Sequence, residues 1–343
     1  MTGTVGRRLA PLLAFALAGC ASRGELIRPG DVVAANLGSH TVTVFDGETG
    51  HVRGTVAAAG LRNPTGVAFG PDGALYVASS GSDAVLRFDG RTGEFAGVFL
   101  TGPPLARPFS LIFGPDSTLY VSSGSSVLRY AFDGRHLGSA SSGLVQPIGL
   151  ALGADGTLFV ANSTEGNVAR FDPRSGESTG SPLGEDIAFA SDVTIGPDGA
   201  VYVSSAGGGE VLRVDPVSGA QEVVVRLPEG GVPMGLAFRG PALMIGDFAM
   251  GRLFVVDPER PETFRQLADS GLVRPENLAV RPMAPAAESR EPSPARWPEG
   301  AVAALAEFDQ ACRLDGGTLS LEDGREVDEV EAGVWRVVRG AGG

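Results

Sequence analysis

The chain has 343 residues, with 40 acidic against 27 basic side chains and a formal net charge of −13. No Lys occurs, so every basic residue counted is Arg, which excludes Schiff-base chemistry and a lysine-bearing phosphate loop. An acidic chain without a basic run also excludes nucleic acid as a partner, because affinity there rests on neutralised phosphates.

Arg7 and Arg8 precede an apolar run, Leu9 to Ala18, which ends Leu17-Ala18-Gly19-Cys20. A basic start, a short apolar stretch and small residues before the cut predict a secretory signal over residues 1–19. The run is too short to cross a bilayer as a helix. Its ending resembles the bacterial lipobox, which implies that Cys20 is acylated with palmitate-type chains; two or more such chains suffice for stable anchoring. Ala21 follows the cysteine where an Asp is absent, which resembles an outer-membrane sorting signal. The expectation is a lipid-anchored protein on the periplasmic side of the outer membrane, with residues 20–30 as a tether.

From there the chain repeats. Phe or Val followed by Asp and then Gly or Pro recurs with Asp at 46, 89, 133, 172, 215 and 257, every 39 to 44 residues. That period, built from short strands, predicts a β-propeller. One copy reads Asn63-Pro64-Thr65-Gly66-Val67-Ala68-Phe69-Gly70-Pro71-Asp72-Gly73-Ala74-Leu75-Tyr76-Val77-Ala78-Ser79. Its apolar runs, Val67–Phe69, Leu75–Ala78, Val85–Phe88 and Phe95–Leu100, predict four antiparallel strands. Gly70-Pro71-Asp72-Gly73 suits a type I turn, with Pro presetting φ and Gly in the final place. The first copy, from Asp31, lacks an innermost strand, whereas Arg274-Pro275-Glu276-Asn277-Leu278-Ala279-Val280 is left over at the end. The surplus strand is predicted to complete the first blade, giving a closed, all-β, six-bladed propeller over residues 31–281.

The repeat resembles the NHL-repeat family and its six-bladed relatives, the gluconolactonase (senescence-marker) and virginiamycin-B-lyase-like propellers. The resemblance covers Asp31 to Val280 and rests on Pro-x-Gly-Val-x-x-Gly-Pro-Asp-Gly-x-Leu-Tyr-Val-Ala, as it stands from Pro64. Such a motif implies the fold and leaves the activity open, since propellers host unrelated functions.

Residues 282–300 carry Pro282, Pro285, Pro292, Pro294 and Pro298 and read as a semi-rigid linker. A small C-terminal extension, 301–343, follows. It is predicted to form a helix over 301–312, with Ala301, Leu305, Phe308 and Cys312 on one face, and a hairpin of Thr318–Leu321 and Val334–Val338. Cys312 reads as a buried apolar filler. If Cys20 is lipidated, it leaves Cys312 without an intrachain partner.

The channel mouth is where propeller chemistry can sit. The residue after the motif Pro gives Thr65, Phe109, Ile148, Ser191, Met234 and Glu276; the next gives Gly66, Ser110, Gly149, Asp192, Gly235 and Asn277. The end of the second strand gives Asn36, Ser79, Ser123, Asn162, Ser205 and Asp247. Asp192, Asp247, Glu276, Asn277 and Asn36 are the oxygen donors a hard cation such as Ca²⁺ would use. The gluconolactonase resemblance implies a divalent ion at the mouth and a carboxylate base, and Glu276 is the position that carries across. The lyase resemblance implies a His and a Glu working together on the late blades. This chain has only His40, His51 and His136, so the proton shuttle that His normally provides has no operator there. Two functions are therefore expected: a binding module for a protein, peptide or small ligand, or a Ca²⁺-dependent lactonase-type hydrolase with Glu276 and Asp247 as its catalytic candidates.

Overall fold

A computed structural model describes residues 24–268 and 270–283, together with the backbone strands 318–320, 326–331 and 334–339. The predicted signal segment with Cys20, most of the proline-rich linker and the predicted helix over 301–312 lie outside the described residues.

Six sheets arranged as blades make up residues 32–280, and the order of strands settles how the ring closes. Strands β1 (Val32–Asn36), β2 (Thr41–Phe45) and β3 (Val52–Val56) supply three places of the first blade. Blade 2 is β4 (Pro64–Phe69), β5 (Leu75–Ser79), β6 (Ala84–Phe88) and β7 (Phe95–Thr101). Blade 3 is β8 (Pro108–Phe113), β9 (Leu119–Ser123), β10 (Ser126–Tyr130) and β11 (His136–Ala140). Blade 4 is β12 (Pro147–Leu152), β13 (Leu158–Asn162) and β14 (Asn167–Phe171). Blade 5 is β15 (Ala190–Ile195), β16 (Val201–Ser205), β17 (Glu210–Val214) and β18 (Gln221–Arg226). Blade 6 is β19 (Pro233–Arg239), β20 (Ala242–Asp247), β21 (Arg252–Asp257) and β22 (Arg260–Ala268). The last strand of the ring, β23 (Pro275–Val280), joins blade 1 in the order β23-β1-β2-β3. It pairs antiparallel with β1, Val280 opposite Val32, Ala279 opposite Val33 and Leu278 opposite Ala34. The composite blade is as the repeats predict.

Most inner strands open on Pro, which lacks an N–H and is tolerated at the first place of a strand. The blades bury their apolar residues against one another, so each core lies between neighbouring sheets. Val67, Val77 and Leu86 of blade 2 pack with Val33, Val42 and Val44 of blade 1; Tyr76 packs edge-on against Phe113 of blade 3, with centroids 4.8 Å apart. The recurrent Asp explains the repeat that betrayed the fold. Asp89 Oδ1 accepts the N–H groups of Arg91 and Thr92 at 2.8 and 2.7 Å, and Gly93 closes the turn at φ +72°. The same two-bond cap recurs at Asp46, Asp172 and Asp215. It is an Asx turn, in which a short carboxylate replaces a backbone partner.

Three local details differ from expectation. Blade 4 has three strands and only isolated bridges, Val168 to Leu183 and Phe171 to Ser178, in its fourth place. Gly180 at φ +144° and Pro182 interrupt that segment, and neither supports a ladder. The expected tether is docked along part of its length: Ile27 is fully buried among Val44, Val56 and Phe88, and its N–H bonds Arg91 O at 2.8 Å. Lastly, the C-terminal hairpin is a three-stranded antiparallel sheet, β24 (Thr318–Ser320), β25 (Glu326–Glu331) and β26 (Val334–Arg339). The acidic run Glu-Val-Asp-Glu-Val-Glu of β25 hides a strand behind low β-propensity residues.

Candidate functional site

The inner strands β4, β8, β12, β15, β19 and β23 surround the central channel. Their first residues face the loops that enter each blade, which we term the loop face; their last residues meet the tight turns of the opposite, turn face.

Gly66, Ser110, Gly149, Asp192, Gly235 and Asn277, one from each inner strand, form a ring that we term the waist. Glycine and polar residues alternate around this waist, and close approach explains it. A Cβ on Gly149 would lie 2.5 Å from Asp192 Cα, one on Gly235 2.7 Å from Asn277 Cα, and one on Gly66 2.9 Å from Ser110 Cα. Asp192 Oδ1 accepts Val193 N–H at 2.9 Å, and Oδ2 accepts Leu236 N–H at 2.8 Å and Asn277 Nδ2 at 3.1 Å. Asn277 Oδ1 accepts Val67 N–H at 3.1 Å. These bonds run from blade 5 through blades 6 and 1 to blade 2, satisfying N–H groups on strand edges that have no ladder partner. Asp192 is 3 % exposed, and burial pushes its carboxyl up to about 7 against the pull of those donors.

The third predicted ring is a fastening device. Ser79 accepts Arg62 N–H at 2.9 Å, Ser123 accepts Ala106 N–H at 2.9 Å and Asn162 accepts Val145 N–H at 2.7 Å. Asn36 accepts Val273 N–H at 3.1 Å and Asp247 Oδ1 accepts Val232 N–H at 3.0 Å. Each side chain ties down the loop that enters its own blade. Asp247 differs in one respect: its Oδ2 is buried and has no hydrogen-bond partner among the described residues.

At the mouth on the loop face, Thr65 and Ser191 spend their hydroxyls on the carbonyls of Pro108 and Pro233 in the next blade, at 2.8 and 3.2 Å. Phe109, Ile148 and Met234 are apolar. Glu276 alone is left with a functional group, half-buried and pushed up to about 7 by burial, with Arg274 acting in the opposite direction. The guanidinium of Arg274 lies 4.7 Å over the Phe248 ring. Between the mouth and Ser110, Gly149, Asp192 and Asn277 of the waist lies a space of about 10 Å³, roughly the room of one water.

Of the five predicted metal-ligating residues, the structure brings Asp192 and Asn277 together and commits their oxygens, with those of Asn36, to N–H donors. Among the described residues no group of three or more His, Cys, Asp or Glu is placed to hold a metal ion. The histidines are exposed: His40 accepts Asn63 N–H at 3.0 Å just before β4, and His136 sits against Tyr130. What the sequence reading missed is a larger cavity of about 280 Å³ on the other side of the waist, opening towards the turn face. The alternation of glycine and polar residues was the signal that could have located the waist above it.

Solved structures share this fold. A catalytically inactive histidine-to-alanine variant of virginiamycin B lyase from Staphylococcus aureus, determined with quinupristin, matches at a TM-score of 0.53 and 13 % identity, over 71 % of this chain and 86 % of that one. The nidogen/laminin complex matches at 0.61 and 15 %, over 73 % and 98 %. Kuenenia stuttgartiensis hydrazine synthase matches at 0.55 and 21 %, over 82 % and 93 %. At such identities the likeness is one of fold. No curated protein matches the chain significantly. The profile of the virginiamycin B lyase family matches residues 51–260, which span blades 1 to 6. Among the six-bladed groups that the repeat resembles, the chain belongs to the virginiamycin B lyase family.

Proposed function

We propose that the protein is an extracytoplasmic, lipid-anchored propeller that binds a protein, peptide or small ligand on its loop face and performs no lyase chemistry. The observation that carries this reading is the mouth itself: Phe109, Ile148 and Met234 are apolar, the hydroxyls of Thr65 and Ser191 are committed, and blades 4 to 6 contain no His. The S. aureus relative is inactive when one histidine is replaced, and a neutral-pH proton transfer of that kind is ordinarily made by His. The NHL-type and anchoring expectations belong to the same reading. Incubation of the full-length protein with quinupristin is expected to leave its chromatographic retention and fragment masses unchanged; a new species, whether isomeric from elimination or heavier by one water from hydrolysis, would sink the binding-only reading. For the anchor, radioactive palmitate should label the wild type and not Cys20→Ser.

A second reading keeps a hydrolase centred on Glu276, favoured by a carboxyl near 7 without a hydrogen-bond partner, which is where a general base operates well. The donor set does not fit Ca²⁺, which takes six to eight oxygens, because only Glu276 and one oxygen of Asp247 remain uncommitted. Lactone hydrolysis abolished in Glu276→Gln would establish this second reading. A melting temperature unchanged by added Ca²⁺ is expected.

A further inference from the structure

The cavity beneath the waist combines three features that no reading of the loop face uses. Its walls are polar and apolar in similar measure, with Phe69, Phe113, Phe238, Val280 and Pro282 towards the turn face and Ser110 and Thr194 among the polar side chains. Its inner end is the Asp192–Asn277 pair. Asp192 is held there by neutral N–H donors alone, with no Arg among its hydrogen-bond partners. A buried carboxyl without a counter-charge either keeps its proton or takes a cationic partner. A small concave site that combines apolar side chains with a few convergent polar groups is a shape that small-molecule sites share.

We propose that this turn-face vestibule binds a small organic cation, an amine on an apolar body, with the ammonium directed at Asp192. Charge favours that class. In the turns at this end Asp72 and Asp198 are paired with Arg87 and Arg213, while Asp116 and Asp155 accept the N–H groups of Thr118 and Thr157, and the whole chain is at −13, so the net field favours cations. Arg239 and Arg281, at the same end in blades 6 and 1, are engaged by Glu48 and Glu25. An inorganic divalent ion is the poorer occupant, since it takes about six or more oxygens and those of Asp192 and Asn277 already accept N–H donors. Asp192 and Asn277 also border the small space beside Glu276, so the variant that separates this inference from a reading of the mouth is Thr194→Phe, at a residue that lines the vestibule and not that space.

Isothermal titration of the full-length protein with 4-phenylbutylamine, and with 4-phenylbutan-1-ol as its uncharged counterpart, tests the proposal. The amine is expected to bind at one per chain with Kd below about 1 mM, and the alcohol at least about ten-fold more weakly. Thr194→Phe, which fills the vestibule, and Asp192→Asn, which removes the charge, should each weaken the amine by about ten-fold or more. Should Asp192→Asn fail to fold, the Thr194→Phe variant and the amine–alcohol pair decide. The proposal is overturned if neither compound binds, if the two bind equally, or if either folded variant keeps the wild-type affinity for the amine.

Discussion

Asp192 sits at a point where two blades come closer than any side chain but its own allows, and single substitutions there should report on the whole waist. Gly149→Ala would place a methyl 2.5 Å from Asp192 Cα, where the obstacle is backbone and cannot swing aside. We expect a loss of about 1–3 kcal/mol, the usual cost of overpacking, read as a fall in urea midpoint. The carboxyl itself predicts a pH dependence. Its value near 7 in the folded chain lies above the ordinary 3.8, so the folded state holds a proton that the unfolded state releases. Stability is therefore fullest below about 4 and declines as pH rises towards 7, by roughly 2–4 kcal/mol in all. Glu276 shifts in the same direction and adds to the decline. The turn aspartates act in another window: Asp46, drawn down to about 2 chiefly by Thr49 N–H, loses its contribution as pH falls from its ordinary 3.8 through about 2. Urea titrations from pH 4 to 8 should show the downward slope, and Asp192→Asn should flatten most of it. A wild-type profile without slope would mean that the waist carboxyl is not proton-linked to folding.

Within a blade, the informative unit is a strand end together with the loop it fastens. Ser123 Oγ accepts Ala106 N–H at 2.9 Å and donates to Ala106 O at 2.6 Å, so one hydroxyl satisfies both backbone groups of a loop residue. Ser123→Ala leaves both without that partner and should cost about 1–3 kcal/mol. The exchange of the loop amides around Ala106 should quicken more than that of β9 itself. This ring also shows how far the sequence could be read. The repeat located every strand of blade 2 to within a few residues, because alternating apolar runs and Gly-Pro-Asp-Gly turns are local signals. It also placed Ser79, Ser123 and Asp247 at equivalent strand ends. It could not tell that these side chains turn to the entering loop and not to the channel, since that depends on contacts some 17 residues apart along the chain. The same limit applies to Asp192 and Asn277, distant in sequence and 3.1 Å apart in the fold. Blade 4 failed for a local reason, the Gly180 and Pro182 that break its outer strand.

At the scale of the molecule, closure depends on a strand that reaches its place only after the other blades exist. Strand β1 begins the ring with its inner edge unpaired, and β23 covers it, Leu278 opposite Ala34, while Asn277 extends the bonding to Val67 of blade 2. A chain ending at Gly271 would expose that edge, along with the apolar side chains of Val32 and Ala34 that Leu278 covers. Unpaired edges recruit other strands, so this truncated chain is expected to associate or aggregate. The missing strand can also be supplied from outside, because an extended peptide added to a sheet edge gains main-chain bonds and side-chain pockets together. A synthetic peptide of residues 272–283 should therefore bind the truncated chain and raise its melting temperature. At a hundred-fold excess over Kd the gain is about 2.7 kcal/mol. The same peptide carrying Leu278→Glu should do neither, because the carboxylate would enter the space that Leu278 fills at 4 % exposure. If both peptides act alike, or if the truncated chain is as stable as the full one, β23 is not what holds the first blade to the last.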